Sequence, residues 1–267
     1  MSNTTVKTLV RSEFKKISST RLWWGLLIGA VVFTAIQAGF TAGFAGTDPG
    51  AGQPASPGLD TDEAIRGVYS VAAFGGTYIF ALILGITGMT GEYRYQTITP
   101  TFLVSPKRSR VVTAKMLAHL VMGLVYGVVG VLSALAVGGT VIAIRGYGLG
   151  FDAEGLWRSM ALAVVAIAIW TLLGIGIGTL IRNQIVAILV AIFITFLIEP
   201  LLTVGLGALD LDSVGQFLPT NASSALMQPA DSFVDYLDWW AGGLVLLAYA
   251  MALAALGLAL NIRRDVS

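Results

Sequence analysis

The chain has 267 residues, of which 56% are hydrophobic and only 12% are charged, with a formal net charge of +1. Soluble domains carry about 25% charged residues, so this composition indicates an integral membrane protein. The chain has no cysteine and one histidine, which excludes disulfides, thiol catalysis and a histidine-rich metal centre. The near-neutral net charge gives no indication of nucleic-acid binding.

The N-terminal segment has the pattern of an amphipathic helix. Apolar residues recur at helical spacing between Val6 and Ile17, with cations between them. This pattern predicts a helix in the membrane interface, with its apolar face in the acyl boundary and its cations toward anionic headgroups. The residues expected to make these contacts are Lys7, Arg11, Phe14, Lys15 and Ile17, with Lys16 as a further cation. A flexible basic tail that only sets membrane orientation is the alternative.

Six apolar runs are long enough to cross a bilayer core of about 30 Å, which needs roughly 20 helical residues. These runs are approximately residues 22–46, 67–91, 116–144, 159–181, 184–208 and 239–261. Each is too uniformly apolar for an ordinary core helix, and none has the alternation of a barrel strand. The predicted fold is an all-α membrane protein with six transmembrane helices in a single domain of residues 1–267.

The basic residues predict the orientation of these spans. Of the 16 lysines and arginines, 13 lie in the N-terminal segment, the second and fourth loops and the C-terminus. The remaining three are Arg66, Arg145 and Arg158. Since cytoplasmic loops carry an excess of Lys and Arg, both termini are expected in the cytoplasm.

The third outer loop contains the run FLPTNASSALM, with a helix-start signal at Thr220 or Asn221. It predicts a short helix packed on the outer membrane surface or dipping into it. Glycines recur within the third and fourth spans, where small residues let helices approach closely. They are Gly123, Gly127, Gly130, Gly174, Gly176 and Gly178. Packing inside the bundle is the expected role, and a dimer face is the alternative.

Glu199, followed by Pro200, is the only acid within a span. A carboxylate in the apolar region is costly and is therefore a candidate functional group, here a pathway-lining or gating residue. The proline would interrupt local helical bonding and permit a bend. The alternative is a carboxylate that is hydrogen-bonded to a neighbouring helix or reaches the outer interface.

No enzymatic site is predicted. The spans contain no aspartate, and His119 has no acid nearby in the sequence. The chain also lacks the glycine-rich phosphate-binding loop that ends in Lys-Ser or Lys-Thr. We therefore expect no catalytic residue, no metal site and no ATPase activity of its own.

The interval between the second and third spans carries a recognisable series. Glu92-Tyr93-Arg94 and Thr97 are followed by a short hydrophobic run, then by Pro106, Arg108, Arg110 and Ala114-Lys115. This series, with the six-span layout, resembles the ABC-2 type permease family, the transmembrane subunits of bacterial ABC exporters. Gln96 stands where that family usually has glycine. The segment 217–226 is similar to the re-entrant outer segment of the family.

The resemblance implies a translocation pathway formed by two permease copies, as a homodimer or a related heterodimer. It also implies two separate ATP-binding subunits that hold ATP and Mg, so this chain is expected to bind no cofactor. Residues 98–104 would be a coupling helix, with Glu92 and Arg94 on the same ATPase surface. Its contact residues would be Ile98, Phe102, Leu103 and Val104. Interfacial anchoring is the alternative for Phe102 and Leu103.

The expected location is a bacterial cell membrane, with a hydrophobic or amphipathic substrate such as a drug, an antibiotic peptide or a lipid. Two other functions stay open. A secondary transporter would use Glu199 as a proton site and work without an ATPase. A non-transporting membrane anchor would only hold a signalling partner.

Overall fold

The computed structural model describes residues 6–48, 56–74, 76–97, 108–227 and 237–264. Within these ranges the regular structure is helical and contains no strand. The helices are α1 (Val6–Ser19), α2 (Leu22–Phe44), α3 (Asp62–Phe74), α4 (Tyr78–Arg94), α5 (Arg108–Ile144), α6 (Leu156–Leu180), α7 (Gln184–Phe193), α8 (Glu199–Gly207), α9 (Asp212–Gly215), α10 (Pro219–Met227) and α11 (Trp239–Arg264).

Six helices or helix pairs are long and apolar enough to cross a membrane, which confirms the predicted fold class. The second span differs most from its prediction, because it runs over α3 and α4 and is interrupted between Phe74 and Tyr78. Gly76 adopts a φ of +96° at this break, a conformation that L side chains rarely adopt. The third span begins at Arg108 rather than near residue 116, because its helix continues past the apolar run into the basic segment.

The fourth span, α6, lies at the centre of the bundle and packs against α4, α5 and α11. Glycines allow this packing, as the sequence predicted. A Cβ atom at Gly85 or Gly174 would overlap the backbone of the facing helix, so α4 and α6 lie with their backbones almost in contact. Gly123 and Gly127 of α5 face α6 in the same way.

The fifth span contains a π-helical turn, Ile194–Ile198, between α7 and α8. Pro200 follows this turn in the first turn of α8. Proline has no N–H to donate, and its ring clashes with the carbonyl one turn earlier, so the preceding helix cannot keep regular α geometry. The wider turn is how the chain accommodates this proline.

The loop after the fifth span returns into the bundle and forms α10. The Ser223 hydroxyl accepts a hydrogen bond from Trp170 Nε1 at 2.9 Å, near the middle of α6. The Ser159 hydroxyl, near the start of α6, donates to the Met227 carbonyl at 3.3 Å. These two contacts place α10 beside the part of α6 that runs from Ser159 to Trp170. The predicted short helix is present, and its position relative to the membrane surface stays a prediction.

Candidate functional site at the basic end of the bundle

One end of the bundle, called the basic end below, brings together α1, the last turn of α4 and the first turns of α5. The α6–α7 connection lies at the same end, because Arg182 stacks on the Tyr93 ring at 5.3 Å. At the opposite end, Arg66 Nη1 donates to the Glu154 carbonyl at 2.6 Å. The six-span layout predicted this division of the loops between the ends, and the cytoplasmic location of the basic end stays a prediction.

Helix α1 packs against α5 through one stripe of residues. Leu9, Glu13 and Ile17 are buried and recur every four residues, so they lie on the same helix face. The stripe is apolar at both ends and acidic at its centre. An acid within an otherwise apolar packing face requires a cation on the facing helix, because a buried unpaired carboxylate is costly.

That cation is Lys115 on α5. Lys115 Nζ lies 2.6 Å from Glu13 Oε2 and 2.8 Å from Glu92 Oε1, and it also donates to the Gly88 carbonyl at 3.1 Å. Lys16 Nζ completes the arrangement, at 2.8 Å from Glu13 Oε1 and 2.6 Å from Glu92 Oε1. We call Glu13, Lys16, Glu92 and Lys115 the ion cluster. Its two acids and two bases have no formal net charge.

The ion cluster is mostly removed from solvent. The side chains of Glu13 and Glu92 are 5% exposed and that of Lys115 is 1% exposed, whereas the Lys16 side chain is 44% exposed. Burial alone would raise the pKa of Glu13, but Lys115 and Lys16 outweigh it and hold the pKa below its usual value. Burial would likewise lower the pKa of Lys16, but Glu13 and Glu92 hold it above its usual value.

A histidine and a glycine pack beneath the ion cluster. Gly88 and Glu92 lie one turn apart on α4, and Lys115 and His119 lie one turn apart on α5. A Cβ atom at Gly88 would overlap the imidazole of His119, so glycine is what leaves room for this ring. His119 Nδ1 lies 2.9 Å from the Lys115 carbonyl, which can only accept, so this nitrogen carries the hydrogen. The buried ring thereby fixes the spacing of α4 and α5.

Helix α4 ends beside the ion cluster with its last carbonyls satisfied. Gln96 has a φ of +56°, the Gln96 N–H donates to the Tyr93 carbonyl and the Thr97 N–H donates to the Glu92 carbonyl. This is a Schellman motif, whose left-handed position glycine normally fills. It gives a physical reason for glycine in the family at this position. Here Gln96 adopts the left-handed conformation, and the helix ends at Arg94.

The structure describes only some of the predicted coupling residues. Ile98, Phe102, Leu103 and Val104 lie outside the described residues, so the coupling helix stays a prediction. Arg94 is exposed, and its Nη1 lies 3.4 Å from Gln184 Oε1 of the fifth span. Glu92 is buried, with Lys16 and Lys115 paired to its carboxylate, and its contact with an ATPase stays a prediction. Contact between Glu92 and a partner would require the ion cluster to open.

The interfacial residues are divided in the same way. Ile17 is buried against the protein and Phe14 is half-buried, whereas Lys7, Arg11 and Lys15 are exposed. The helix is present, and its position in the membrane interface stays a prediction. Glu13, the acid at the centre of the buried face, was missed. The spacing of four residues from Leu9 to Glu13 to Ile17 places this acid on the apolar face and could have predicted its burial.

Glu199 and Pro200 lie on the fifth span, far along it from the basic end. Glu199 is 3% exposed, and its Oε2 accepts from the Thr220 N–H at 2.8 Å and from the Thr220 hydroxyl at 2.6 Å. Thr220 lies in the first turn of α10, whose free N–H groups and positive dipole end favour an anion. The geometry therefore matches the hydrogen-bonded alternative for Glu199. A gating role is not tested by it.

No group of three or more histidines, cysteines or acids within the described ranges could hold a metal ion. The ion cluster pairs two acids with two lysines and joins α1, α4 and α5. What the basic end provides is mechanical connection between helices that are distant in sequence.

The six apolar spans indicate a multi-pass helical membrane protein. Residues 9–198 match the family described as ABC-2 family transporter protein, which is more than two thirds of the chain. The chain belongs to this family of ABC transporter permeases. Comparison with the curated proteins gives no match.

Proposed function

We propose that the chain is the permease subunit of an ATP-driven exporter in a bacterial cell membrane, with both termini in the cytoplasm. Two copies of the permease, or two related chains, form the translocation pathway. Two separate ATP-binding subunits carry ATP and Mg and dock on the basic end. The substrate proposed is a hydrophobic or amphipathic compound. Family membership supports the permease role, and the position of the ion cluster supports the docking end.

The ion cluster carries the mechanical part of this proposal. The segment 98–107 connects α4 to α5, and both helices are held at their ends by ion pairs with Glu13 of α1 or Lys16 of α1. Separating the helices would leave buried charges without their partners, which is strongly unfavourable. These three helices should therefore stay together at this end. A push on the segment would therefore move α1, α4 and α5 as one unit. The contact of Arg94 with Gln184 extends the connection to the fifth span.

The docking surface is tested by changing Phe102 and Leu103 to Asp in the same chain. If these side chains enter an apolar groove on the ATPase, two charges there remove co-purification of the co-expressed ATP-binding subunit. The matched control is Tyr147→Asp with Leu149→Asp, two exposed apolar residues at the opposite end. The control should retain the subunit.

Retained ATPase binding by the Phe102→Asp, Leu103→Asp variant would contradict the coupling helix. The two alternative functions give different outcomes in reconstituted vesicles. A secondary transporter would move substrate without the ATP-binding subunit. A membrane anchor would show no ATP-dependent transport with the subunit present.

A further inference from the structure

The two halves of the fifth span are attached to the bundle in different ways. We call α7 the near half and α8 the far half, by their distance from the basic end. The far half is held by α10, because Glu199 Oε2 accepts two hydrogen bonds from Thr220, at 2.8 Å and 2.6 Å. One turn further along α8, the Thr203 hydroxyl accepts from Asn221 Nδ2 at 3.3 Å. The far half is thus joined to α10 at two points.

Helix α10 is in turn fixed to two unbroken spans. The hydrogen bonds of Ser223 and Met227 described above join it to α6. On its other side it packs against α11, where a Cβ atom at Gly242 would lie 2.5 Å from the Ala222 carbonyl oxygen. The backbones of α10 and α11 are therefore almost in contact, and the far half belongs to the core of the bundle.

The near half is attached more weakly. Its buried residues are Ala187 and Ala191, which recur every four residues, so α7 packs on α4 through a narrow face of small side chains. Its hydrogen bond to α4 joins Arg94 Nη1 to Gln184 Oε1 at 3.4 Å, between exposed side chains. Small side chains and one long exposed hydrogen bond hold a helix less firmly than the buried contacts of the far half.

An irregular segment separates the two halves. The π-helical turn Ile194–Ile198 is followed by Pro200, and we call this segment the joint. Bends in helices occur at prolines and at π-helical turns. Within the joint, the Phe196 ring lies 6.4 Å from the Tyr78 ring with the planes 10° apart, and Tyr78 stacks on Trp170 of α6 at 4.4 Å. The joint therefore rests against the centre of the bundle.

We propose that the fifth span bends at the joint, with the far half fixed to the core and the near half free to swing as an arm. Bending is easiest here, because the backbone hydrogen bonds of the π-helical turn already depart from the α-helical pattern. The same bend in an unbroken span such as α5 would have to break regular bonds. A push at the end of α4 would reach the arm through Arg94 and Gln184, and this last step rests on the proposed function.

The expected size of the swing follows from helix geometry. The near half is 10 residues long, which is about 15 Å at 1.5 Å per residue. A bend of about 20°, the size of a kink, moves the start of this arm by roughly 5 Å. Spin labels on the near half should therefore show a wider spread of distances to the core than labels on the far half.

The experiment measures distances by pulsed electron paramagnetic resonance in the purified full chain in lipid nanodiscs, without the ATP-binding subunit. The natural chain has no cysteine, so each introduced pair carries the only labels. Ile185→Cys with Leu117→Cys reports the near half against α5, and Val204→Cys with Ala161→Cys reports the far half against α6. All four positions are exposed. An excess of unlabelled chain keeps distances between copies out of the signal.

The near-half pair should show a spread that is wider than that of the far-half pair by up to roughly 5 Å. Pro200→Ala restores an N–H donor and removes the ring clash, so it should narrow the near-half spread. The matched control is Leu201→Ala, a change at the neighbouring exposed residue, which should leave the spread unchanged. Thermal unfolding checks that both variants fold.

Equal spreads for the two pairs in the natural chain overturn the proposal, as does a wider spread for the far half. An unchanged near-half spread in folded Pro200→Ala also overturns it. A second variant, Thr220→Val with Asn221→Leu, weakens the hold of α10 on α8 and should widen the far-half spread; no widening would contradict the fixed far half. Because the labels are read without the ATP-binding subunit, failure of the Phe102 and Leu103 test would leave these results unaffected.

Discussion

The structure buries carboxylates in two different ways. At the basic end, Glu13 and Glu92 share two lysines, and the ion cluster joins three helices. In the fifth span, Glu199 has hydrogen-bond donors only, from the first turn of α10. Removing one partner of a buried ion pair leaves an unpaired charge and is strongly destabilising. Neutral hydrogen-bond donors can bond to a neutral acceptor nearly as well as to a carboxylate, so replacing that carboxylate should cost less. The basic end should therefore be the more sensitive region.

The largest effect is expected for Lys115→Met. This change keeps the length of the side chain but leaves Glu13 and Glu92 close together without their buried cation. Removing one partner of a buried ion pair costs about 3–5 kcal/mol, so the free energy of unfolding should fall by that amount. Thermal unfolding of the purified chain in detergent measures it.

The matched control is Arg110→Met, an exposed cation five residues earlier on α5. It should change stability little. A rescue variant, Lys115→Met with Glu13→Gln and Glu92→Gln, removes the carboxylate charges as well and should recover much of the loss. Equal stability of Lys115→Met and Arg110→Met would show that the ion cluster contributes nothing.

The fold was more predictable than this cluster. Apolar runs of about 20 residues are rare outside membrane-spanning helices, so the six spans and the close-packed glycines followed from residue type alone. The break at Gly76 was missed because an uncharged run gives no sign of backbone direction, although the Gly75-Gly76 pair was a signal. The Schellman end at Gln96 was obscured by the absence of its usual glycine.

The ion cluster could not be predicted from the sequence, for a different reason. Its members come from three helices, and 102 residues separate Glu13 from Lys115. Charge counting gave Lys115 a topological role, and the family resemblance gave Glu92 a place on an ATPase surface. Only helix packing shows that they face one another. For Glu199 the alternatives could be stated from residue type, but its partner, Thr220, is 21 residues away.

The next effect concerns pH and Glu13→Gln. The lowered pKa of Glu13 means that its contribution to stability is present above its ordinary value of 4.5 and is lost as pH falls through the lower folded pKa. The raised pKa of Lys16 means that its contribution is present below its ordinary value of 10.5 and is lost as pH rises through the higher folded pKa. The contribution of these two residues to the docking of α1 should therefore not change with pH between 4.5 and 10.5.

Glu13→Gln removes the charge-assisted bonds to Lys16 and Lys115, so it should cost about 2 kcal/mol at neutral pH. Part of the stability lost below pH 4.5 in the natural chain comes from protonation of Glu13, and this part should be absent in Glu13→Gln. Protease cleavage within α1 as a function of pH reports the docking directly. A cleavage profile that is the same in Glu13→Gln and the natural chain, at both neutral and acidic pH, would contradict this role.

The smallest effect is expected for Glu199→Gln. The glutamine carbonyl can still accept from the Thr220 N–H and hydroxyl, so only the charge assistance of these bonds is lost, which costs about 1 kcal/mol. Glu199→Leu is the matched comparison, because it keeps a similar size but leaves the donors of α10 without an acceptor. It should cost about 2–3 kcal/mol. Thermal unfolding ranks the two variants. A stability loss for Glu199→Gln as large as that of Lys115→Met would contradict the expected difference between the two regions.

Transport by the assembled complex tests whether Glu199 is a gating residue. Normal transport by a normally expressed Glu199→Gln chain contradicts a gating role. Abolished transport at nearly unchanged stability supports one.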